Sequence, residues 1–290
     1  MRKFLAAAVL TALTATLSGA QPTQSAQPSS SAQRAAGDQR AQLTAKFRER
    51  LSQIAQSTDG VVGVSVIDLV SGERFGVNDT LVFPQGSAIK IPILVELFRQ
   101  ADAGTLHLDE RVTIKATDQV VGTGIAQWFG DGLSAMSLRD LAVLMIVLSD
   151  NTATNMLIEK VGMRAVTNTM ATLGLGTIKL QRLMIRPRES ALGNENVATA
   201  AQSAELMRRI HTCQLPMGRP TCGALRRILE LPKDGEFPAS VPSSVRVAWK
   251  PGTVEGVATF RRVARASAFG VRVPVSLADS IRRPPSNKQR

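Results

Sequence analysis

The sequence predicts an α/β (α+β) fold: one sheet built from both ends of the chain, with a helical subdomain inserted between them. Strand-like, β-branched segments stand near the start at 61–69 and 74–77 and near the end at 245–250, 257–265 and 270–277. Between them, apolar residues recur at helical spacing. With 290 residues, 44% of them apolar, the chain can bury one large core or two interleaved subdomains. A cleft between the sheet part and the helical part is where a site is expected.

Met1-Arg2-Lys3, an apolar run from Phe4 to Leu17, and Ser18-Gly19-Ala20 read as a secretory signal peptide over 1–20. The run is too short for a spanning helix. No second run of spanning length follows, and no Cys near the cleavage point offers a lipid anchor. The expectation is a periplasmic or secreted protein starting near Gln21, with no stable membrane insertion. Residues 21–40 read as a flexible linker, because 21–37 are rich in Gln, Ser, Pro and Ala without periodicity.

A catalytic domain is expected over 41–277. Leu43, Phe47, Leu51 and Ile54 keep helical spacing, and Val61 to Leu69 is a strand. Ser71-Gly72-Glu73 turns the chain into a second strand, Arg74 to Val77. Pro84-Gln85-Gly86 breaks it before an apolar helix from Ser87 to about Ala101. Ser137 caps a run from Leu138 to Leu148, and a second helix follows from Asn151 to Val161. Residues 182–196 read as an irregular loop and Thr199 to Ile210 as helix. The sheet part is assigned to 41–84 and 211–277, the helical part to about 85–210, and a basic disordered tail to 278–290.

Cys213 and Cys222 lie nine residues apart in a Pro- and Gly-containing loop, and an exported chain would let them pair. Such a bridge adds about 2–3 kcal/mol in the chain-entropy model. His211 lies two residues from Cys213, but a tetrahedral zinc site needs further ligands that no third Cys or nearby His provides. No metal and no cofactor is expected. The net charge of +12 is concentrated at the ends: residues 1–20 carry +2 and residues 261–290 carry +7, leaving +3 for the body. Nucleic-acid binding therefore has little support, and a monomer acting on a small molecule is the expectation.

Three short motifs occur in order. Ser87-Ala88-Ile89-Lys90 opens a helix, and residues three apart share a helix face, so an ammonium can sit beside the hydroxyl. Ser149-Asp150-Asn151 follows the apolar helix, and Lys250-Pro251-Gly252-Thr253 ends a strand. Each has an ordinary reading alone: an N-cap with a surface Lys, a helix cap, and a solvated strand end. Together, from about Leu43 to Thr259, they resemble the class A serine β-lactamases and penicillin-binding proteins, whose signature is S-x-x-K, S-D-N and K-T-G. Phe83, Leu138-Arg139-Asp140-Leu141 and Asp150 to Asn155 extend the resemblance. With no Tyr in the chain, the Tyr-x-Asn variant of class C enzymes is excluded.

The resemblance implies a five-stranded antiparallel sheet flanked by helices and a serine β-lactamase, a hydrolase acting on cyclic amides and conferring antibiotic resistance. Ser87 would be the nucleophile, with Lys90 its base and Ser149 the proton relay to the leaving nitrogen. Asn151 would bind the substrate's side-chain amide. Lys250 and Gly252-Thr253 would bind its carboxylate, and the Ser87 and Thr253 N–H groups would hold the oxyanion.

Three departures stand out. Pro251 replaces a hydroxyl residue, although an edge-strand proline is tolerable. Glu189-Ser190-Ala191-Leu192-Gly193-Asn194 matches the deacylating Glu-x-x-Leu-Asn loop with one extra residue. Glu189 is either the activator of the hydrolytic water or a loop carboxylate beside Arg186 or Arg188. The Arg-rich end departs from the family's closing amphipathic helix. If Glu189 fails, the acyl-enzyme stalls, as in a penicillin-binding DD-peptidase or transpeptidase. A non-catalytic β-lactam-binding protein is the third reading. Trp128 could stack on a substrate ring or simply pack; His107 and His211 read as structural.

Overall fold

The computed structural model describes residues 30–233, 242, 245–266 and 275–282. The signal peptide assigned to 1–20 lies outside the described residues. The chain divides into two compact units, residues 1–47 and 48–290. The first helix, α1 (Ser30–Ser57), contains that boundary. Residues 30–40 were expected to be linker and are helical, because Ala32, Gln33, Arg34, Ala35 and Ala36 are good helix formers and only Gly37 interrupts them.

In the second unit, β1 (Val61–Asp68) and β2 (Arg74–Val77) form an antiparallel hairpin. Val62, Val64 and Val66 put one face of β1 against Leu51 and Ala55 near the end of α1. Its other face is buried too, with Ile67 against Ala200 and Ala204, so β1 is covered on both sides. Strands β7 (Val245–Val254), β8 (Val257–Ala266) and β9 (Val275–Arg282) complete a five-stranded antiparallel sheet in the order β2-β1-β9-β8-β7. The tail expected from 278 is therefore a strand as far as Arg282. Strand β9 lies between β1 and β8 and pairs with both, so its backbone donors and acceptors are satisfied on each side. That pairing outweighs its composition. Residues 283–290 lie outside the described residues.

Two small sheets escape a pattern reading: β3 (Val82–Pro84) with β6 (Val197–Thr199), and β4 (Arg111–Lys115) with β5 (Asp131–Ser137). The first fastens the segment before Ser87 to the far side of the 182–196 loop.

The helical part centres on α2 (Lys90–Asp102), buried without interruption from Lys90 to Phe98. Around it lie α3 (Leu138–Val147), α4 (Asn151–Val161) and α5 (Met163–Thr172). The short α6 (Pro187–Ala191) lies in the loop. Helix α7 (Ala200–Thr212) packs on β1, β8 and β9, so it belongs with the sheet and not with the helical part to which it was assigned. Helix α8 (Arg219–Leu229) begins inside the 213–222 stretch expected to be loop and runs beyond it; Cys222, Leu225, Ile228 and Leu229 form its buried face. The Cys213–Cys222 disulfide joins the end of α7 to α8, with a Cα separation of 5.8 Å. No helix among the described residues is long and apolar enough to cross a membrane.

Candidate active site

Ser87 sits in a 3-10 turn, Gly86–Ile89, that runs directly into α2, so Ser87 and Lys90 lie one turn apart. Close backbone approach places this turn. Gly86 has φ +47°, and a Cβ there would stand 2.7 Å from Thr253 N. A Cβ on Gly252 would stand 2.2 Å from Gln85 O and 2.5 Å from Ala88 N. Only glycine allows both approaches. They press the nucleophile turn onto the end of β7 and bring the Thr253 backbone beside it.

Lys90 is wholly buried. Its Nζ donates to Ser149 O at 2.6 Å, Ser149 Oγ at 3.1 Å and Asn151 Oδ1 at 3.1 Å. Lys250 Nζ reaches the same Ser149 Oγ at 3.0 Å from the opposite wall. Two donors occupy both acceptor sites of that hydroxyl, which leaves its own proton to be donated. Burial, and then the charge of Lys250, holds the Lys90 ammonium well below the usual lysine range; Asp150 opposes the shift. Lys250 is brought down to about 7, mainly by burial and further by Lys233.

The backbone between α3 and α4 makes this convergence possible. Ser149 is left-handed at φ +54°, a costly conformation for a non-glycine residue. Asp150 is buried, caps α4 through Ala153 N at 2.8 Å, and accepts from Ile125 N and Ala126 N at 2.7 Å. Asp150 thus points inward and fixes the 122–126 loop, while Ser149 and Asn151 line the cleft. Asn151 Nδ2 donates to Val121 O at 3.4 Å, and Thr123 Oγ1 to Ser149 O at 2.6 Å.

The cleft has a volume of about 530 Å³. Ser87, Ser149, Asn151, Lys250, Gly252 and Thr253 all line it, and Lys90 lies beneath. Glu189 is not among its lining residues. Helix α6 starts at Pro187, and Pro187 and Ser190 face the cleft one turn apart. Glu189, two positions after Pro187, is rotated by about 200° to the far side. The loop instead presents Met184, Ile185 and Glu195. Met184 is clamped by Asn155, whose Oδ1 accepts from Met184 N at 2.8 Å and whose Nδ2 donates to Met184 O at 3.3 Å. Glu195 is committed to Arg182 Nη2 at 3.0 and 2.8 Å and accepts from Ser190 Oγ.

Pro251 stands opposite Phe260 in the edge strand, where a missing N–H need cost no ladder bond. Trp128 is 78% exposed and does not line the cleft. Sequence reasoning noted Asn155 only as part of the run after Ser149 and missed Thr123, Met184 and the Arg182–Glu195 pair. None has a local motif, and the pair spans thirteen residues of loop.

A family model described as the β-lactamase enzyme family matches residues 46–259. The solved β-lactamase of Sphaerobacter thermophilus superposes with TM-score 0.73 at 29% identity, over 82% of this chain and 89% of that one. PBP-A shares the fold, with TM-score 0.73 at 24% identity over 83% of this chain and 89% of that one. A β-lactamase of Rhodobacter capsulatus is 27% identical over 164 residues, 56% of this chain and 55% of that protein. The chain spans about half the length of the curated relatives it matches. On the family match, which takes in both the Ser87 turn and the Lys250 strand, the chain belongs to the β-lactamase enzyme family.

Proposed function

We propose that this protein is a serine β-lactamase that opens β-lactams by forming an acyl-enzyme on Ser87. The observation that carries the reading is the convergence of Lys90 and Lys250 on Ser149 Oγ beside Ser87 in one cleft. Lys90, on losing one N–H proton and with it one of its three bonds to Ser149 and Asn151, turns its lone pair to Ser87 and takes the Ser87 proton as Oγ attacks the lactam carbonyl carbon. The Ser87 and Thr253 N–H groups receive the oxyanion. As the carbon–nitrogen bond breaks, Ser149 gives its proton to the nitrogen and is reprotonated through the lysines bonded to it. Protonated Lys250 and the Thr253 hydroxyl bind the substrate carboxylate, and Asn151 its side-chain amide.

One observation favours a second reading in which the acyl-enzyme persists, as in a penicillin-binding protein. Of the loop's carboxylates, Glu189 is off the cleft and Glu195 is held in an ion pair. The water that would hydrolyse the ester then has no free base from this loop. A time course of intact-protein mass with a penicillin separates the readings. Hydrolysis predicts a transient adduct and consumed penicillin; trapping predicts a stoichiometric, lasting adduct. Ser87→Ala should form neither, and an adduct on that variant would remove Ser87 as nucleophile. The leader at 1–20 and the disulfide support export to the periplasm or medium, and N-terminal sequencing of exported protein near Gln21 tests it.

A further inference from the structure

Gln85, two residues before Ser87, has every polar group engaged. Its N–H donates to Asn196 O at 2.8 Å, and its carbonyl accepts from Ala88 N at 3.0 Å and Thr259 Oγ1 at 2.8 Å. Its Nε2 donates to Phe83 O at 3.0 Å and Ala198 O at 3.4 Å. Its Oε1 accepts from Arg261 Nε at 3.1 Å and Nη2 at 2.6 Å. One residue therefore ties together the β3–β6 strap, strand β8 and the nucleophile turn.

Arg261 is the unusual partner. It is 1% exposed, and its Nη1 has no hydrogen-bond partner among the described residues. It stands directly opposite Lys250 across the β7–β8 ladder, so two buried cations share one face of the sheet. Among the described residues the guanidinium is held by a neutral amide alone; such burial is expensive, and an apolar side chain of similar volume is often as stable or more so. The bonds Arg261 makes through Nε and Nη2 serve one purpose: they fix the Gln85 side chain. Removing them frees the amide that anchors the turn, and with it the spacing between the Ser87 and Thr253 N–H groups.

We propose that Arg261 is a positioning residue for acylation, acting through Gln85 to hold the Ser87 turn against β7. The inference rests on the acylation reading above. It touches no substrate and no reacting atom, so its loss should change the rate of bond formation and not the binding of the β-lactam.

The test is stopped-flow acylation with a chromogenic cephalosporin on full-length parent, Arg261→Met and the double variant Gln85→Leu/Arg261→Met, with urea unfolding alongside. Arg261→Met is expected to acylate about 10–100-fold more slowly at saturation, with the half-saturating concentration within about threefold and the urea midpoint equal or higher. Gln85→Leu breaks this link and the Nε2 bonds to the strap as well, so the double variant should be as slow as Arg261→Met or slower, and a double variant faster than Arg261→Met overturns the link through Gln85. A saturating rate within twofold of the parent overturns the inference, as does a loss confined to half-saturation. Should Arg261→Met not fold, Arg261→Leu, which likewise removes both donors to Gln85, is judged by the same rate. A parent that takes up no β-lactam removes the acylation reading and this inference with it.

Discussion

Lys90 and Lys250 donate to the same Ser149 oxygen, and burial depresses both, yet the proposed chemistry needs them in opposite states. The base must be neutral and the carboxylate anchor charged. Lys90 is shifted toward the first need, because burial and then the Lys250 charge disfavour its ammonium, while Asp150 opposes them. Lys250, at about 7, is charged only on the acid side of neutrality. Acylation by a carboxylate-bearing penicillin, followed as kcat/KM, should therefore fall as pH rises through about 7 and Lys250 loses its proton. It should also fall toward acid as Lys90 gains one. Lys250→Arg keeps its charge throughout this range, so that variant should lose the alkaline limb. A parent profile flat from about pH 6 to 9 would contradict the assignment of charge to Lys250.

The 182–196 loop is the element on which turnover depends. Met184 faces the cleft with its backbone clamped by Asn155, while Glu189 turns away on α6. Glu189→Gln should therefore leave turnover within about twofold of the parent, well short of the 10²–10⁴-fold that losing a general base costs. Met184→Glu should shorten the lifetime of the penicilloyl adduct by tenfold or more. Adduct lifetimes by mass spectrometry check both, and an unchanged lifetime in Met184→Glu would show that this wall does not reach the ester. Elements also show where the sequence was legible. Helix α4 was expected with its observed bounds because Asp150 and Gly162 mark its ends chemically. Strands β3 and β6 were not, because three residues carry no period. The start of helix α8 lies in the 213–222 stretch that its Pro and Gly mark as loop, and the rest of the helix had no element assigned. Of the motif residues, Ser87, Ser149, Asn151 and Lys250 line one cleft and Lys90 lies beneath it; Ser87, Lys90, Ser149 and Asn151 flank helix starts, whereas Lys250 lies within β7. Glu189 could not be placed, because spacing does not say which side of a five-residue helix faces a cavity. Arg261 was invisible, because an arginine in a basic stretch reads as surface.

Across the whole molecule, alkaline titration should behave unusually, and the reason lies in composition together with burial. The chain has no Tyr, and both cysteines are bridged, so neither phenols nor thiols titrate between neutrality and pH 10.5. What remains there is lysine, the amino terminus and Arg261, which burial brings down to about 9. Lys250 is brought to about 7 and Lys233 to about 8, both by burial, and Lys90 is lowered too. The sign follows from proton counting. In the folded chain these groups have lost their protons above those values; in the unfolded chain they keep them until the ordinary lysine value of 10.5. The unfolded state therefore binds more protons across that window, and stability rises with pH. Each such group adds up to about 1.4 kcal/mol per pH unit within its window. The cost of burying these cations is fully present below the folded values and gone above the unfolded one. The net charge of +12 at neutrality also falls over this range, which relieves self-repulsion and pushes the same way. Lys250→Met separates the two contributions: it removes one buried cation and changes the net charge by a single unit. The parent's urea midpoint should rise between about pH 7.5 and 9.5, and Lys250→Met should start higher and rise less steeply. A parent midpoint that is flat or falls over that interval would mean that Lys250 and Lys233 keep near-ordinary proton affinities in the folded state. The two-lysine account of the cleft would then fail with it.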